Sequence, residues 1–368
     1  MNINFCVPTD IILGKECVKN NSQKIAAMGK HAFLVTGGKS AKMNGALNDV
    51  TEVLRANNQK WMLFDNVTPN PTIEQALSGA QIAKDAGSDF IIAIGGGSPM
   101  DAGKAIAYYF NRTNENISQA LHPAERKVLP IIAIPTTAGT GSEVTPYAIL
   151  TDHEKETKAA IATPEIFPKH AMLDARYMLS LGTTTTINTA IDALSHAVEG
   201  MLSNKGNALT NIIASEALRI ITPIIDNLED VSNLDIEKRE QLLYASMLAG
   251  TVIANTGTTG MHSMGYSLTY FKDIDHGRAN GLLMAEFLRF VEKSMPSLTD
   301  KILYSMGIKS IDSLGKLLSR LLGENENIKI EEFEKFSSVA IKAWNIKNCA
   351  VVPTESDLTE IYKSSFIK

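Results

Sequence analysis

The apolar run Phe90-Ile91-Ile92-Ala93-Ile94 passes without a break into Gly95-Gly96-Gly97-Ser98-Pro99-Met100-Asp101 and then into an Ala-rich helical pattern. A continuously apolar strand suits a sheet covered on both faces, and a strand that turns through glycine into a helix belongs to wound α/β architectures. Similar runs recur at Phe33-Leu34-Val35, Trp61-Met62-Leu63-Phe64 and Ile131-Ile132-Ala133-Ile134. Thr72 to Gly87 places Ile73, Ala76, Leu77, Ala80, Ile82 and Ala83 at helical spacing and ends on glycine, which predicts a crossover helix. The alternation predicts an α/β dinucleotide-binding domain with a doubly wound, mostly parallel sheet, because four or five strand units are too few for a barrel.

Beyond Leu181 the texture changes. Long helical patterns at 211–228, 238–254, 282–291 and 311–322 replace the β-rich runs, which predicts an all-α second domain. The Thr183 to Thr186 run offers N-caps and sets the expected boundary: residues 1–181 and residues 182–368. No Pro/Ser-rich linker intervenes, so the two domains are expected to pack closely around a cleft.

With 35 Lys and Arg against 40 Asp and Glu, the 368-residue chain has a formal charge of −5 and no Lys/Arg-rich run. That balance argues against nucleic acid or an anionic membrane as partner. Cys6, Cys17 and Cys349 are scattered without Cys-x-x-Cys spacing, which excludes a disulfide framework and a thiolate metal site. There is no leader-like N-terminal pattern, and no uncharged run approaches the roughly 20 residues that span a bilayer, so the expected location is cytoplasmic.

The glycine turn after Ile94 reads as a phosphate site: glycines admit close backbone approach, and a helix N-terminus, expected near Asp101, favours anionic oxygens. A tight structural turn is the competing reading, and Met100 stands where a G-x-G-x-x-G fingerprint has its third glycine. Pro135 to Glu143, containing Thr136, Thr137, Gly139, Thr140 and Gly141, adds hydroxyls and glycines after the next strand. Two such loops at one sheet edge favour a nucleotide. In the helical half, Asp192 and His196 lie one turn apart, a spacing that serves a metal ion or a surface ion pair. His262 and His276, in Gly-flanked segments, add two imidazoles, and three imidazoles with one carboxylate suit Fe²⁺, Zn²⁺, Ni²⁺ or Co²⁺. His31, His122, His153 and His170 read as solvated. Glu199 reads equally as a partner orienting His196 or as a salt-bridging surface residue.

Together, Gly95 to Lys104, Pro135 to Thr145, Asp192 to Glu199 and the His262/His276 segment resemble the iron-containing (group III) alcohol dehydrogenases, most closely the short 1,3-propanediol or butanol dehydrogenase-type members. The resemblance implies a divalent metal, Fe²⁺ with Zn²⁺ or another ion as alternatives, held by Asp192, His196, His262 and His276. It implies a pyrophosphate loop of Gly96, Gly97, Ser98 and Asp101, a second loop of Thr136, Thr137 and Thr140, and cofactor-lining positions at Asn70 and Lys158. The implied reaction is hydride transfer between NAD(P) and a short alcohol, diol or aldehyde, with small and apolar residues around Thr145, Met261 and Tyr266 making a narrow pocket; a homo-oligomer, a dimer, is also implied.

Departures from the family pattern sharpen the expectations. Many relatives have histidine where this chain has Tyr266, and proline where it has Asp275. Gly37 stands where NAD-preferring relatives often carry an aspartate, so Gly37, Gly38 and Ser40, with Lys39 or Lys42, are expected to admit a 2′-phosphate and favour NADP(H) over NAD(H). The alternatives are a glycerol dehydrogenase- or dehydroquinate synthase-like enzyme on the same architecture, or a nonenzymatic nucleotide- or metal-sensing protein.

Overall fold

The computed structural model describes residues 3–112, 127–228 and 230–367, so His122 lies outside the described residues. Among these, one compact unit comprises the residues of Val7–Thr137 and Gly141–Leu181; the other comprises those up to Cys6, Ala138–Thr140 and those from Gly182 onward.

The first unit is built on a parallel sheet of β1 (Asp10–Leu13), β2 (His31–Thr36), β3 (Lys60–Phe64), β4 (Phe90–Gly95), β5 (Ile131–Pro135) and, later in the chain, β8 (His170–Leu173). The strand order is β1-β8-β5-β4-β2-β3, with β4 parallel to both β2 and β5. From the β2/β4 pair the sheet continues to β3 on one side and to β5 and β8 on the other, with β1 added at that edge, so the pair is a switch point of the kind at which open α/β sheets bind ligands beyond their strand ends. Alternate residues of β2 and β4 bury opposite ways. Phe33, Val35 and Ile91 join one core with α5 (Ile73–Asp85) and α6 (Gly97–Tyr109). Ala32, Leu34, Ile92 and Ile94 join another with α1 (Cys17–Asn20), α2 (Ser22–Ala26), α3 (Ser40–Met43) and α4 (Ala46–Ala56). The predicted crossover is α5, with the Thr72 side chain accepting from the Gln75 amide at its start and Gly87 at φ 67° beyond its end.

An antiparallel hairpin, β6 (Tyr147–Asp152) with β7 (Thr157–Ala162), was not expected, because β7 is largely alanine and carries little β signal. The four-residue strands β1 and β8 are also new, too short to show periodicity. On β8, His170 is buried and its Nδ1 lies 2.9 Å from the Asp10 carboxylate. This corrects the solvated reading, which holds for exposed His153; His31 is half-buried.

The second unit contains α7 (Thr183–Leu202), α8 (Ala208–Asp226), α9 (Ile236–Thr256), α10 (Gly260–Lys272), α11 (His276–Glu292), α12 (Pro296–Met306), α13 (Ile311–Leu322), α14 (Ile330–Ala340) and α15 (Glu355–Phe366). Gly182, not a threonine, occupies the N-cap of α7, and Thr183 to Thr186 are its first turn. Helix α8 is long and apolar enough to cross a membrane by composition, beyond what the uncharged-run criterion registered, since it includes Glu216 and Arg219. These two form an exposed ion pair at 2.7 Å, and α8 packs one face against α7, α9 and α12 while Leu209 and Ile212 on it stay exposed.

Candidate metal centre and cofactor loops

Asp192 and His196 lie on one face of α7, His262 lies in the first turn of α10, and His276 is the first residue of α11. Their donor atoms converge. The Nε2 atoms of His196 and His262 are 3.0 Å apart. Asp192 Oδ1 lies 3.9 Å from His196 Nε2, 3.9 Å from His262 Nε2 and 3.7 Å from His276 Nε2. Asp192, His196 and His262 are buried, whereas His276 is partly open.

The opposite ring nitrogens decide which protons are present. His196 Nδ1 faces the Gly139 carbonyl oxygen at 3.2 Å, and a carbonyl only accepts. His262 Nδ1 faces Glu199 Oε2 in a short contact. Glu199 Oε1 accepts from the Thr259 amide at 3.0 Å, the Thr259 hydroxyl at 2.7 Å and the His262 amide at 3.1 Å. Burial would raise the Glu199 carboxyl, but His262 and these donors hold it below the ordinary range, so it is an anion and Nδ1 of His262 is the donor. With Nδ1 of each ring turned to an acceptor, the two Nε2 atoms face each other across 3.0 Å, which a proton or a metal cation between them reconciles. Among the described residues, the other recorded atom facing His196 Nε2 is Asp192 Oδ1, which also only accepts.

Charge leads to the same place. Burial pushes Asp192 up, yet the surrounding imidazoles and the Asn280 amide carry it below the usual carboxylate value. Burial lowers His196, while Glu199 outweighs burial at His262 and raises it. With the imidazoles in the neutral form that ligates a metal, the two buried carboxylates leave two negative charges, which a divalent ion neutralises; three nitrogens and one oxygen fit iron(II) or zinc.

Glu199 is thus neither a surface residue nor the partner of His196. It is fully buried and orients His262 while meeting the free amides at the start of α10. Asn280 is a residue that the sequence reading missed. Its Nδ2 lies 3.2 Å from Asp192 Oδ1, 3.2 Å from His262 Nε2 and 3.4 Å from His276 Nε2. The signal was available, since Asn280 follows His276 by the same one-turn spacing as Asp192 and His196. Asp275 caps α11 by accepting from the Gly277 amide at 3.2 Å, with φ −50°, an angle that proline also adopts. The change from the family's proline therefore keeps the backbone and adds a cap. Tyr266 stacks on His276, ring centroids 5.5 Å apart, and meets His262 edge-on at 6.1 Å. Met261 is fully buried.

In the sheet unit, α6 starts at Gly97 rather than near Asp101. Gly95 has φ 151°, Gly96 is the extended N-cap, and the Gly97 to Asp101 motif forms the first turn. A Cβ on Gly95 would meet Pro99 Cγ at 2.6 Å. The amides of Gly97 and Ser98 open the helix with no preceding turn to receive them, which is the setting that binds phosphate. Asn70, at φ 56°, donates its amide to Ser98 Oγ at 3.3 Å, and its side chain accepts from Lys158 Nζ at 2.7 Å. Thr136 follows β5 and donates its amide to the Gly95 carbonyl at 2.9 Å, and Thr137 flanks Gly96. Thr140 belongs with the helical unit. Asp101 is engaged inward, accepting from Ser142 Oγ at 2.6 Å and the Ile149 amide at 3.0 Å. Gly37 and Gly38 follow β2, and Ser40 opens the four-residue α3 with an exposed side.

The family model "Iron-containing alcohol dehydrogenase" matches residues 8–175, and the C-terminal model of the Fe-containing alcohol dehydrogenase family matches residues 186–366. Lactaldehyde reductase of Escherichia coli is 32% identical over 280 residues, covering 75% of this chain and 72% of that protein. NADPH-dependent butanol dehydrogenase of Clostridium saccharobutylicum is 31% identical over 332 residues, covering 87% and 83%. The crystal structure of an iron-containing alcohol dehydrogenase from Thermotoga maritima superimposes with a TM-score of 0.92 at 36% identity, covering 99% of each chain. With both halves matched in order, and with buried imidazoles and a carboxylate arranged for a divalent ion, the chain belongs to the iron-containing alcohol dehydrogenase family.

Proposed function

We propose that this protein interconverts short aliphatic aldehydes or diol-derived aldehydes and the corresponding alcohols by nicotinamide-linked hydride transfer, with Asp192, His196, His262 and His276 holding the metal. The observation that carries the reading is the pair of Nε2 atoms turned toward each other and toward Asp192, each ring oriented by an acceptor behind it. A bound divalent ion supplies Lewis-acid polarisation of the substrate oxygen. Glu199 and the Gly139 carbonyl keep the two imidazoles in the ligating tautomer. The Gly96 to Ser98 backbone, with Asn70, Lys158, Thr136, Thr137 and Thr140, is assigned to the dinucleotide; Asp101 acts by holding its loop rather than by meeting phosphate, which its charge would repel. The domain division at 181/182, a homodimer and a cytoplasmic location belong to the same proposal.

The test is an aldehyde panel with NADH and NADPH on protein reconstituted separately with Fe²⁺ and Zn²⁺. Net cofactor consumption is expected; no consumption with any aldehyde would favour a lyase that recycles its cofactor internally.

The finer proposal is preference for NADPH, in line with the named cofactor of the butanol dehydrogenase relative. Lys39 and Ser40 are exposed, while Lys42 already pairs with Asp65 at 2.7 Å, which leaves Lys39 as the better source of charge. A Cβ on Gly37 would lie 3.3 Å from the Val67 carbonyl and 3.4 Å from Pro99 Cγ, so a side chain enters with a small adjustment. Gly37→Asp is expected to reverse or erase the NADPH/NADH ratio of kcat/KM. A wild-type preference for NADH, or an unchanged ratio in the variant, would overturn this assignment.

A further inference from the structure

Helix α10 carries His262 in its first turn, yet its own cap does not hold that turn: Thr259 stands at the N-cap in extended backbone with no side-chain bond to the helix amides. The bonds come from two distant segments. On one side Glu199 accepts from the Thr259 and His262 amides. On the other stands the helical turn Trp344–Asn348 with Cys349 after it, 82 to 90 residues from the groups it meets. Asn345 is fully buried; its Nδ2 donates to Thr258 Oγ1 at 3.2 Å and to the Thr259 carbonyl at 3.1 Å, and its Oδ1 accepts from Ser263 Oγ at 2.6 Å. Asn348, also buried, donates to the Thr258 carbonyl at 3.0 Å, and Cys349 Sγ accepts from the Gly260 amide at 3.2 Å. Gly257, at φ 68°, brings the chain close enough for these bonds, since a Cβ there would meet Asn348 Nδ2 at 2.7 Å. No step of the proposed reaction uses Asn345, Asn348 or Cys349.

We infer that Asn345 is a positioning residue for His262: with Asn348 and Cys349 it clamps the segment Thr258 to Ser263 from the side away from Glu199 and holds the imidazole in its ligating place. The inference rests on the reading of Asp192, His196, His262 and His276 as metal ligands. Helix ends open more readily than helix interiors, and a ligand in the first turn is only as fixed as that turn. Where the turn is free to open, the free energy of closing it is subtracted from the affinity for the ion. Asn345 is the residue that spans the turn, because its amide meets Thr258 and Thr259 before the helix and Ser263 one residue beyond the ligand. An apolar side chain in its place takes a partner from two buried hydroxyls and one buried carbonyl at once.

The experiment measures Zn²⁺ affinity by competition with a chromogenic chelator, the d–d absorption bands of the Co²⁺-loaded protein, NADPH affinity and the Tm of the metal-free protein, for the wild type and four variants. Asn345→Leu keeps the shape of the side chain and none of its hydrogen bonds. It is expected to weaken Zn²⁺ about tenfold and to shift the Co²⁺ bands, with NADPH affinity unchanged. Ser263→Ala removes one bond of the clamp and is expected to weaken Zn²⁺ about threefold. Asn345→Leu decides, and Ser263→Ala decides in its place if the leucine variant does not fold. Asp235→Ala removes the side chain that caps α9 at the end far from Thr256, so it lowers Tm and leaves both metal readouts at wild-type values. If the deciding variant behaves in the same way as Asp235→Ala, Asn345 only packs and the inference is overturned. His262→Ala tests the premise. Wild-type metal binding in that variant would remove the metal reading and the inference together, whereas loss of metal there with wild-type values in the deciding variant overturns the inference alone.

Discussion

The proposed metal cluster is made of side chains and the proposed phosphate turn is made of backbone, and the two therefore fail in opposite ways. At the cluster, two imidazoles are oriented by a group behind the ring, Glu199 for His262 and the Gly139 carbonyl for His196, and Asn280 donates to Asp192. Taking atoms away is what damages it. At the turn from Gly95 into α6, the working groups are amides, and space has been cleared around them. Adding atoms is what damages it.

Removing a donor should have the largest effect. His262→Ala is expected to lower turnover by more than the roughly 100-fold that loss of an outer partner causes, with metal lost and NADPH binding retained. Metal analysis alongside cofactor titration checks it, and full activity in a metal-free variant would break the comparison on its first side. Glu199→Gln comes next. The amide matches the volume but withdraws the anion behind His262, so metal affinity should fall about 10- to 100-fold without loss of the fold, read by competition with a chromogenic chelator.

Gly95→Ala probes the opposite side. A Cβ there meets Pro99 in a backbone conformation with φ 151°, and cofactor affinity should fall about tenfold while metal content stays constant. A loss of metal instead would show that the two regions are not separable. The smallest effect is expected at Tyr266→Phe. Because the ring packs on His276, deleting its hydroxyl should leave turnover within a few-fold. A hundredfold fall at unchanged metal content would instead assign the phenol a proton or hydrogen-bond role in the transition state.

What could be read from the sequence follows from how each feature is encoded. Strands such as Phe90 to Ile94 and the helix from Thr72 are periodic over many residues, so burial on both sheet faces leaves a pattern. The four proposed donors stood out because Asp192 and His196 share a helical turn and histidine is scarce, with 7 in 368 residues. Partners across long separations leave no such trace. Glu199 reaches His262 from 63 residues away, and Gly139 reaches His196 from 57. Lys104 entered only as the last residue of the Gly95 to Lys104 motif, with no contact assigned to it, because its three acceptors, on Ser142, Thr145 and Tyr147, lie some forty residues further on. The start of α6 was misplaced because proline and glycine, poor residues within a helix, are tolerated in its first turn, where no intrahelical amide bond is needed.

The three residues Ala138–Thr140 cluster with the helices although the chain on either side of them clusters with the sheet. Their Gly139 carbonyl fixes the proton on His196, and a Cβ at that glycine would meet the Thr189 carbonyl at 2.8 Å. All four donors are encoded after residue 182, yet the centre is not a self-contained cassette. A chimera joined at 181/182 inherits its imidazoles from one parent and the proton acceptor behind one of them from the other, so exchange between relatives conserves the centre only when this tripeptide travels with the helices.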